Sequence, residues 1–334
     1  MPPGTQKWLV VAPAFHEWDL GHYVRDVLSR QGFEVSVFAY QPYPSQAREL
    51  QHDLLQQLDR DKPGIVLALK ADRVPPDALQ QMRNRGAFVV LWYVDCISET
   101  PPWWILPLFE ASDLFLTTAK GMVPVYRHLG TTPSHWLIEG VHLPFFPARV
   151  GRVPALYRSV VVFLGSIYNL PEGHPDFEVR ARFFKAVQAR YPFKVWGPQG
   201  TPASRERYGE SYPVIEWPAY NEEVTKICQA SDIVLGRNSI QSVELYFSNR
   251  TCLVLAAGGF HLTAYVPGLE TMFRNHEHLV WYESLDDCLE KIDYYLQRPR
   301  LRQAIASAGQ TWTRHRYSMT RQINQMRRLI DKYR

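Results

Sequence analysis

Arginine, asparagine and glycine stand close together in the stretch FSNRTCLVLAAGGFHLTAY (Phe247 to Tyr265). The guanidinium of Arg250 can pair with a diphosphate in a forked geometry. The amide of Asn249 both donates and accepts hydrogen bonds. Gly258 and Gly259 follow two alanines. A backbone without Cβ can approach a ligand, and N–H groups exposed in such a turn can cradle an anion. Phe260 and His261 follow and are candidates to line the rest of that pocket. Arg237 and Asn238 come after the apolar run Asp232 to Leu235, and Gly165-Ser166 close the run Ser159 to Leu164. These are further strand-end positions for anion binding. A paired glycine after an apolar run also fits an ordinary tight turn, so the motif gains meaning only from the elements around it. A second chemistry is proton transfer. His16, Glu17 and Asp19 follow the first apolar run, and Asp95 ends the fourth. Any of them can take a proton from an attacking nucleophile. The same loop also suits a polar entry into a helix with Asp19 as its N-cap.

The surrounding pattern is βα alternation. Strands are expected at Trp8 to Ala12, Glu34 to Ala39, Gly64 to Leu69, Phe88 to Tyr93, Leu114 to Thr117 and His135 to Ile138. Helices fall between them at Gly21 to Gln31, Ser45 to Leu58, Pro76 to Asn84 and Met122 to Leu129. From His142 to Tyr157 the period is lost and prolines gather, as in a linker. Alternation then restarts with strands at Ser159 to Leu164, Phe193 to Trp196, Asp232 to Leu235 and Thr251 to Leu255. The expected helices of this half are Phe177 to Arg190, Tyr220 to Gln229, Ser239 to Tyr246, Leu285 to Gln297 and Arg300 to Ser307. A basic amphipathic helix, Thr320 to Lys332, ends the chain. Near-continuous apolar strands alternating with helices predict parallel sheets covered on both faces. Two such blocks place a ligand at the carboxyl ends of their strands.

Composition narrows the class. A chain of 334 residues with 46% apolar side chains is long enough for two cores. No apolar run of about 18 residues exists, so no membrane insertion is expected. The start MPPGTQKWLVVAP lacks a signal-peptide pattern, and the expectation is a cytoplasmic protein. Cys96, Cys228, Cys252 and Cys288 are far apart and read as buried free thiols, not as a zinc site. The net charge of +4 suits a polyanionic ligand such as a nucleotide without demanding nucleic acid.

Longer stretches carry a family resemblance. KPGIVLALKADRVPPDALQQMRNRGAFVVLWYVDC (Lys62 to Cys96), ASDLFLTTAKGMVPVYRHLG (Ala111 to Gly130), WLIEGVHLPFF (Trp136 to Phe146), VVVFLGSIYN (Val160 to Asn169) and the segment Asn249 to Gln310 follow, in order and spacing, the CgeB-like glycosyltransferases. The chain more loosely resembles the group-one glycosyltransferases. The resemblance implies a GT-B architecture, with two Rossmann-like domains facing a central cleft. Residues 1–145 would form the acceptor-side domain and 158–312 the donor domain, with 313–334 crossing back to the first. It further implies a nucleoside-diphosphate sugar as donor, most often UDP-linked, transfer without a bound metal or other cofactor, and a retaining course. The acceptor would be a small molecule, glycan or protein, and less readily modified DNA. A nucleotide-sugar 2-epimerase and an inactive binding module are the alternatives.

Two adjacent positions depart from the family. Cys252 and Leu253 stand where the family carries Phe and Glu, and that Glu grips the donor ribose. Glu244 and Glu270 are the substitutes within reach in sequence.

Overall fold

The computed structural model describes residues 6–14, 16, 19–96, 98–165, 175–197, 214–215 and 219–334. Glu17 and Ser166 lie outside the described residues. The first part of the chain supplies strands β1 (Lys7–Ala12), β2 (Glu34–Ala39), β3 (Ile65–Leu69), β4 (Phe88–Tyr93), β5 (Leu114–Thr117) and β6 (Ser134–Trp136). Helices α1 (Leu20–Arg30), α2 (Arg48–Asp61), α3 (Pro76–Asn84), α4 (Ile105–Glu110) and α5 (Val123–Leu129) connect them. The second part supplies β7 (Ser159–Leu164), α6 (Pro175–Arg190), β8 (Phe193–Trp196), β9 (Val214–Ile215), α7 (Glu222–Ala230), β10 (Ser231–Gly236), α8 (Arg250–Ala256), β11 (His261–Ala264), β12 (Val280–Tyr282), α9 (Leu285–Leu296) and α10 (Pro299–Arg316). Helix α11 (Met319–Tyr333) ends the chain.

These elements make two compact α/β units. One comprises Met1–His142, Val243–Tyr246 and Met319–Arg334; the other comprises Leu143–Ser242 and Phe247–Ser318. Each holds one six-stranded sheet, ordered β2-β1-β3-β4-β5-β6 in the first and β12-β11-β10-β7-β8-β9 in the second. All of the neighbouring strands pair in parallel. The sequence explains this directly: β3, IVLAL, and β4, FVVLWY, are buried at every position, which only a sheet covered on both faces allows. Strand order reverses beside β1 in the first unit and beside β7 in the second. Such reversal points open a crevice at the strand carboxyl ends, where ligands bind.

Helix ends follow local chemistry. Pro76 opens α3 at its first turn. Ser284 caps α9, its hydroxyl accepting from the Asp287 N–H at 3.1 Å. The apolar side of α11 enters the first unit's core through Met319, Ile323, Met326 and Ile330, beside Trp8, Val10 and Leu67. The Met319 N–H donates to Val141 O at 2.8 Å and fixes where that helix begins. A helix so used has no free apolar side for a membrane surface.

Three expected elements differ. Thr251 to Leu255 is not a strand but the core of helix α8, buried at Thr251, Cys252, Val254, Leu255 and Ala256. A short run that is apolar all round does not distinguish a buried strand from a buried helix. Ser239 to Tyr246 is irregular rather than helical. Asn238 Oδ1 accepts from the Ser248 N–H at 2.8 Å and closes the segment into a loop. Residues 143–157 are no free linker. Gln229 and Gln310 donate to Ala148 O at 2.9 and 2.8 Å, and Arg314 donates to Phe146 O at 2.7 Å, binding this stretch to the second unit. Strands β9, β11 and β12 and helix α4 have no counterpart among the expected elements; all are short.

Candidate functional site

Three arginines gather at the strand-order reversal of the second unit. Phe163, near the end of β7, carries the Arg250 guanidinium at 4.4 Å from its ring centroid and that of Arg180 at 5.4 Å. Arg180 also lies 5.7 Å from the Phe184 ring, and Arg237 lies 5.0 Å from Phe183. Arg250 Nη1 donates to Arg237 O at 3.3 Å, tying the end of β10 to the start of α8. A cation over an aromatic face gains about 0.5–2 kcal/mol depending on desolvation, which offsets part of the repulsion among three like charges. Gly165, directly after β7, has φ +123°, a region L side chains rarely adopt, and a Cβ there would overlap the Arg250 guanidinium. The buried Tyr282 hydroxyl donates to Gly236 O at 2.9 Å. Burial holds its pKa well above the ordinary phenol value, despite the opposing pull of Arg237 and Arg180. The arrangement is a packed, largely buried cationic cluster at a crossover, of a chemistry suited to a phosphate-bearing ligand.

Of the donor-side residues expected from sequence, Gly165, Arg237 and Arg250 meet here, and Asn249 occupies the position before α8. Arg180 is the residue the sequence reading missed. It is 4% exposed. Its signal was present: Arg180, Phe183, Phe184 and Val187 fall at helical spacing on one face of α6, so an arginine takes a core position.

The others are placed elsewhere. Asn238 is buried and serves the loop closure, its carbonyl also accepting from Gln241 Nε2 at 2.8 Å. Glu244 belongs to the first unit, ion-paired with Lys120 Nζ at 2.6 Å and accepting at its backbone O from the Gly121 N–H at 2.9 Å. Gly258 and Gly259 form the C-terminal turn of α8 and lead into the amino end of β11, with Gly258 at φ +81° against Gln310. The expected backbone cradle is therefore a helix stop at the end of the sheet opposite the arginines. A cavity of about 590 Å³ opens there, lined by Asp232, Gly258, Phe260 and Arg302 among others. The Phe260 ring packs 4.8 Å from that of Tyr295 in the core.

His261 is fully buried at the start of β11. Its Nδ1 lies 2.9 Å from Val234 O and its Nε2 3.3 Å from Thr251 Oγ1. Facing a carbonyl, Nδ1 carries the proton. Burial lowers the His261 pKa from 6.5 to about 4, with the Arg250 charge acting in the same direction and the Val234 hydrogen bond opposing. The unfolded chain therefore binds the proton first. Stability falls as pH drops from about 6.5 towards about 4, by up to about 3 kcal/mol from this group. Urea midpoints at pH 7 and pH 4.5 should differ less in His261→Gln than in the parent; an equal loss would contradict the assignment.

In the first unit, His16 is exposed and forms a turn with Asp19. The His16 N–H donates to Asp19 Oδ2 at 2.8 Å, and the Asp19 N–H to His16 O at 3.0 Å. Asp95 follows β4 and pairs with Lys70 Nζ at 2.8 Å; Asp72 lies 3.7 Å from the same nitrogen. Burial acts to lower the Lys70 pKa, but the two carboxylates outweigh it and raise it. Lys70 and Ala71 both have φ +59°, consecutive left-handed residues at the end of β3. The Tyr40 hydroxyl braces them, within 3.1 Å of Leu69 O and 3.0 Å of Asp72 Oδ1. Strain of this kind persists only where surroundings over-determine it. Glu139, after β6, has its pKa pushed up to about 8, by burial first and then by the Asp95 charge. The four cysteines are free and buried, as expected.

Comparison with known proteins agrees with this architecture. Residues 180–328 match the model of a family described as glycosyl transferase-like. The span begins at Arg180 and contains Arg237 and Arg250. The chain has the GT-B fold. It is 21% identical to spore protein CgeB of Bacillus subtilis over 76% of this chain and 79% of that protein. Two solved structures share its fold. Sucrose-phosphate synthase of Thermosynechococcus elongatus superposes with TM-score 0.68 at 13% identity, covering 98% of this chain and 100% of that one. HepE of Anabaena, solved with UDP and glucose, superposes with TM-score 0.69 at 11% identity over the same shares. No helix among the described residues is long and apolar enough to cross a membrane. Leu253 sits one turn after Arg250 on α8 and is partly buried.

Proposed function

We propose that this protein transfers a glycosyl group from a UDP-sugar to an acceptor hydroxyl, with the donor diphosphate on Arg180, Arg237 and Arg250. The observation that carries this reading is the guanidinium cluster at the carboxyl ends of β7 and β10. Bond breaking places negative charge on the departing UDP, and preorganised cations at that point lower the barrier. Because arginine supplies the charge, the reaction calls on no divalent ion. Gly165 leaves room for the guanidinium, and the ring of Phe163 holds it in place. Leu253 offers the ribose no carboxylate, so donor affinity rests chiefly on the diphosphate. A retaining course, in which the departing phosphate takes the acceptor proton, requires no side-chain base on the donor unit. HepE, solved with UDP and glucose, supports UDP as the nucleotide of the donor.

The test is UDP release from UDP-glucose and UDP-N-acetylglucosamine, with and without a panel of sugar acceptors and with EDTA present. Acceptor-dependent release insensitive to EDTA is the expected result. Conversion of the donor sugar to its 2-epimer without acceptor would identify an epimerase instead. Failure of UDP to bind would leave an inactive module.

A further inference from the structure

His261 takes a core position in β11 with no exposed surface. Packing alone does not call for an imidazole there. A polar ring out of water is costly unless its nitrogens are satisfied. An aliphatic side chain would fill the same strand position without that cost. Both nitrogens of His261 are engaged, and by different elements. Nδ1 donates to Val234 O of β10 at 2.9 Å, so Nε2 is the acceptor, and it takes the Thr251 hydroxyl of α8 at 3.3 Å.

These contacts approach the arginines from two sides. Thr251 is the residue after Arg250, in the first turn of α8. Asn249 gives that turn no side-chain cap. The Thr251 N–H returns to Ser248 O at 3.0 Å, within the loop that leads into the helix. The bond from Thr251 to His261 ties the turn to the sheet instead. On the other side, the ring packs on Gly236, the last residue of β10. A Cβ on Gly236 would meet His261 Cε1 at 2.6 Å and overlap the Thr263 hydroxyl. Arg237 follows directly, and its carbonyl accepts from Arg250. The Arg250 charge reaches the ring and opposes its protonation. A neutral imidazole therefore bridges helix and strand without setting another cation beside the guanidinium.

We propose that His261 is a positioning residue for the arginine cluster: through Thr251 it sets the first turn of α8, and with it Arg250, against the end of β10 and Arg237. Fully buried, it acts through the arginines and not on the ligand. This rests on the reading of the arginines as the diphosphate site, and adds a residue behind them on which anion affinity depends. Plain core packing is the rival role. It would make His261 matter for stability and leave the affinity of the folded protein unchanged.

The experiment is calorimetric titration of the full chain with UDP and with inorganic pyrophosphate, beside urea midpoints that show each variant folded under the assay conditions. His261→Asn keeps an amide donor for Val234 O but is too short to reach Thr251. Thr251→Val removes the hydroxyl with little change of shape, and serves if His261→Asn fails to fold. Each should weaken whichever of the two anions binds the parent by at least about threefold, and Thr251→Ser, which restores the hydroxyl, by less than about threefold. The proposal is overturned if Thr251→Val, or a folded His261→Asn, binds within about threefold of the parent, or if Thr251→Ser loses as much as Thr251→Val. If pyrophosphate binds the parent and UDP does not, the nucleotide reading fails and the positioning role is read on pyrophosphate alone. If neither binds, both are overturned.

Discussion

Arg250→Ala should raise the Kd for UDP by about 30- to 100-fold, the cost of removing a charge-assisted hydrogen-bonding group of roughly 2–3 kcal/mol. Three facts single out this arginine. It opens α8, its guanidinium lies on Phe163, and Gly165 is shaped around it. Arg250→Lys should recover only part of the loss, since an ammonium supplies charge but not the planar fork. Removal of the exposed Arg298, stacked on Tyr294, should have no effect on UDP and serves as the control. Calorimetry on the three variants reads the result. Unchanged affinity in Arg250→Ala would detach this arginine from the diphosphate.

Gly309→Ala should lower the melting temperature even though it replaces a glycine inside a helix. In isolation the change favours α10 by about 1 kcal/mol, because glycine is a poor helix former. Packing acts the other way. A Cβ on Gly309 would overlap the His278 carbonyl oxygen and come within 3.0 Å of Leu255 Cδ2. The obstacle is backbone, not the tip of a flexible side chain, so α10 or the turn at His278 must shift. Overpacking of this kind costs about 3 kcal/mol at the upper end of the usual range. The net loss of about 2 kcal/mol corresponds to a fall of roughly 4–8 °C. A melting temperature equal to or above the parent's would show that α10 does not approach the turn this closely.

The alternation of apolar strands and helices was legible because parallel strands buried on both faces must be apolar throughout, as in β3 and β4. Free buried cysteines and the apolar face of α11 were readable for the same reason. The segment Phe247 to Tyr265 was harder. TCLVLAA is short and apolar all round, so period could not separate helix from strand. Taking it as a strand put Gly258-Gly259 at a strand's carboxyl end; as helix α8 it puts them at the amino end of β11, opposite the arginines. Arg250 kept its place because it begins the helix. Arg180 and Glu139 were missed for a different reason. A lone arginine in an apolar helix face, or a glutamate in a turn, gains meaning only when distant strands bring Phe163 or Asp95 beside it. Glu244 illustrates the opposite case: close in sequence to Arg237 and Arg250, it is ion-paired with Lys120 in the other unit.

The central claim is that the guanidinium cluster of the second unit holds a nucleotide through its diphosphate. Calorimetric titration of the parent protein with UDP and with uridine tests it most directly. UDP should bind at least about 100-fold more tightly than uridine, with the difference shrinking as salt is raised. Equal affinity for the two, or no binding of UDP, would contradict it.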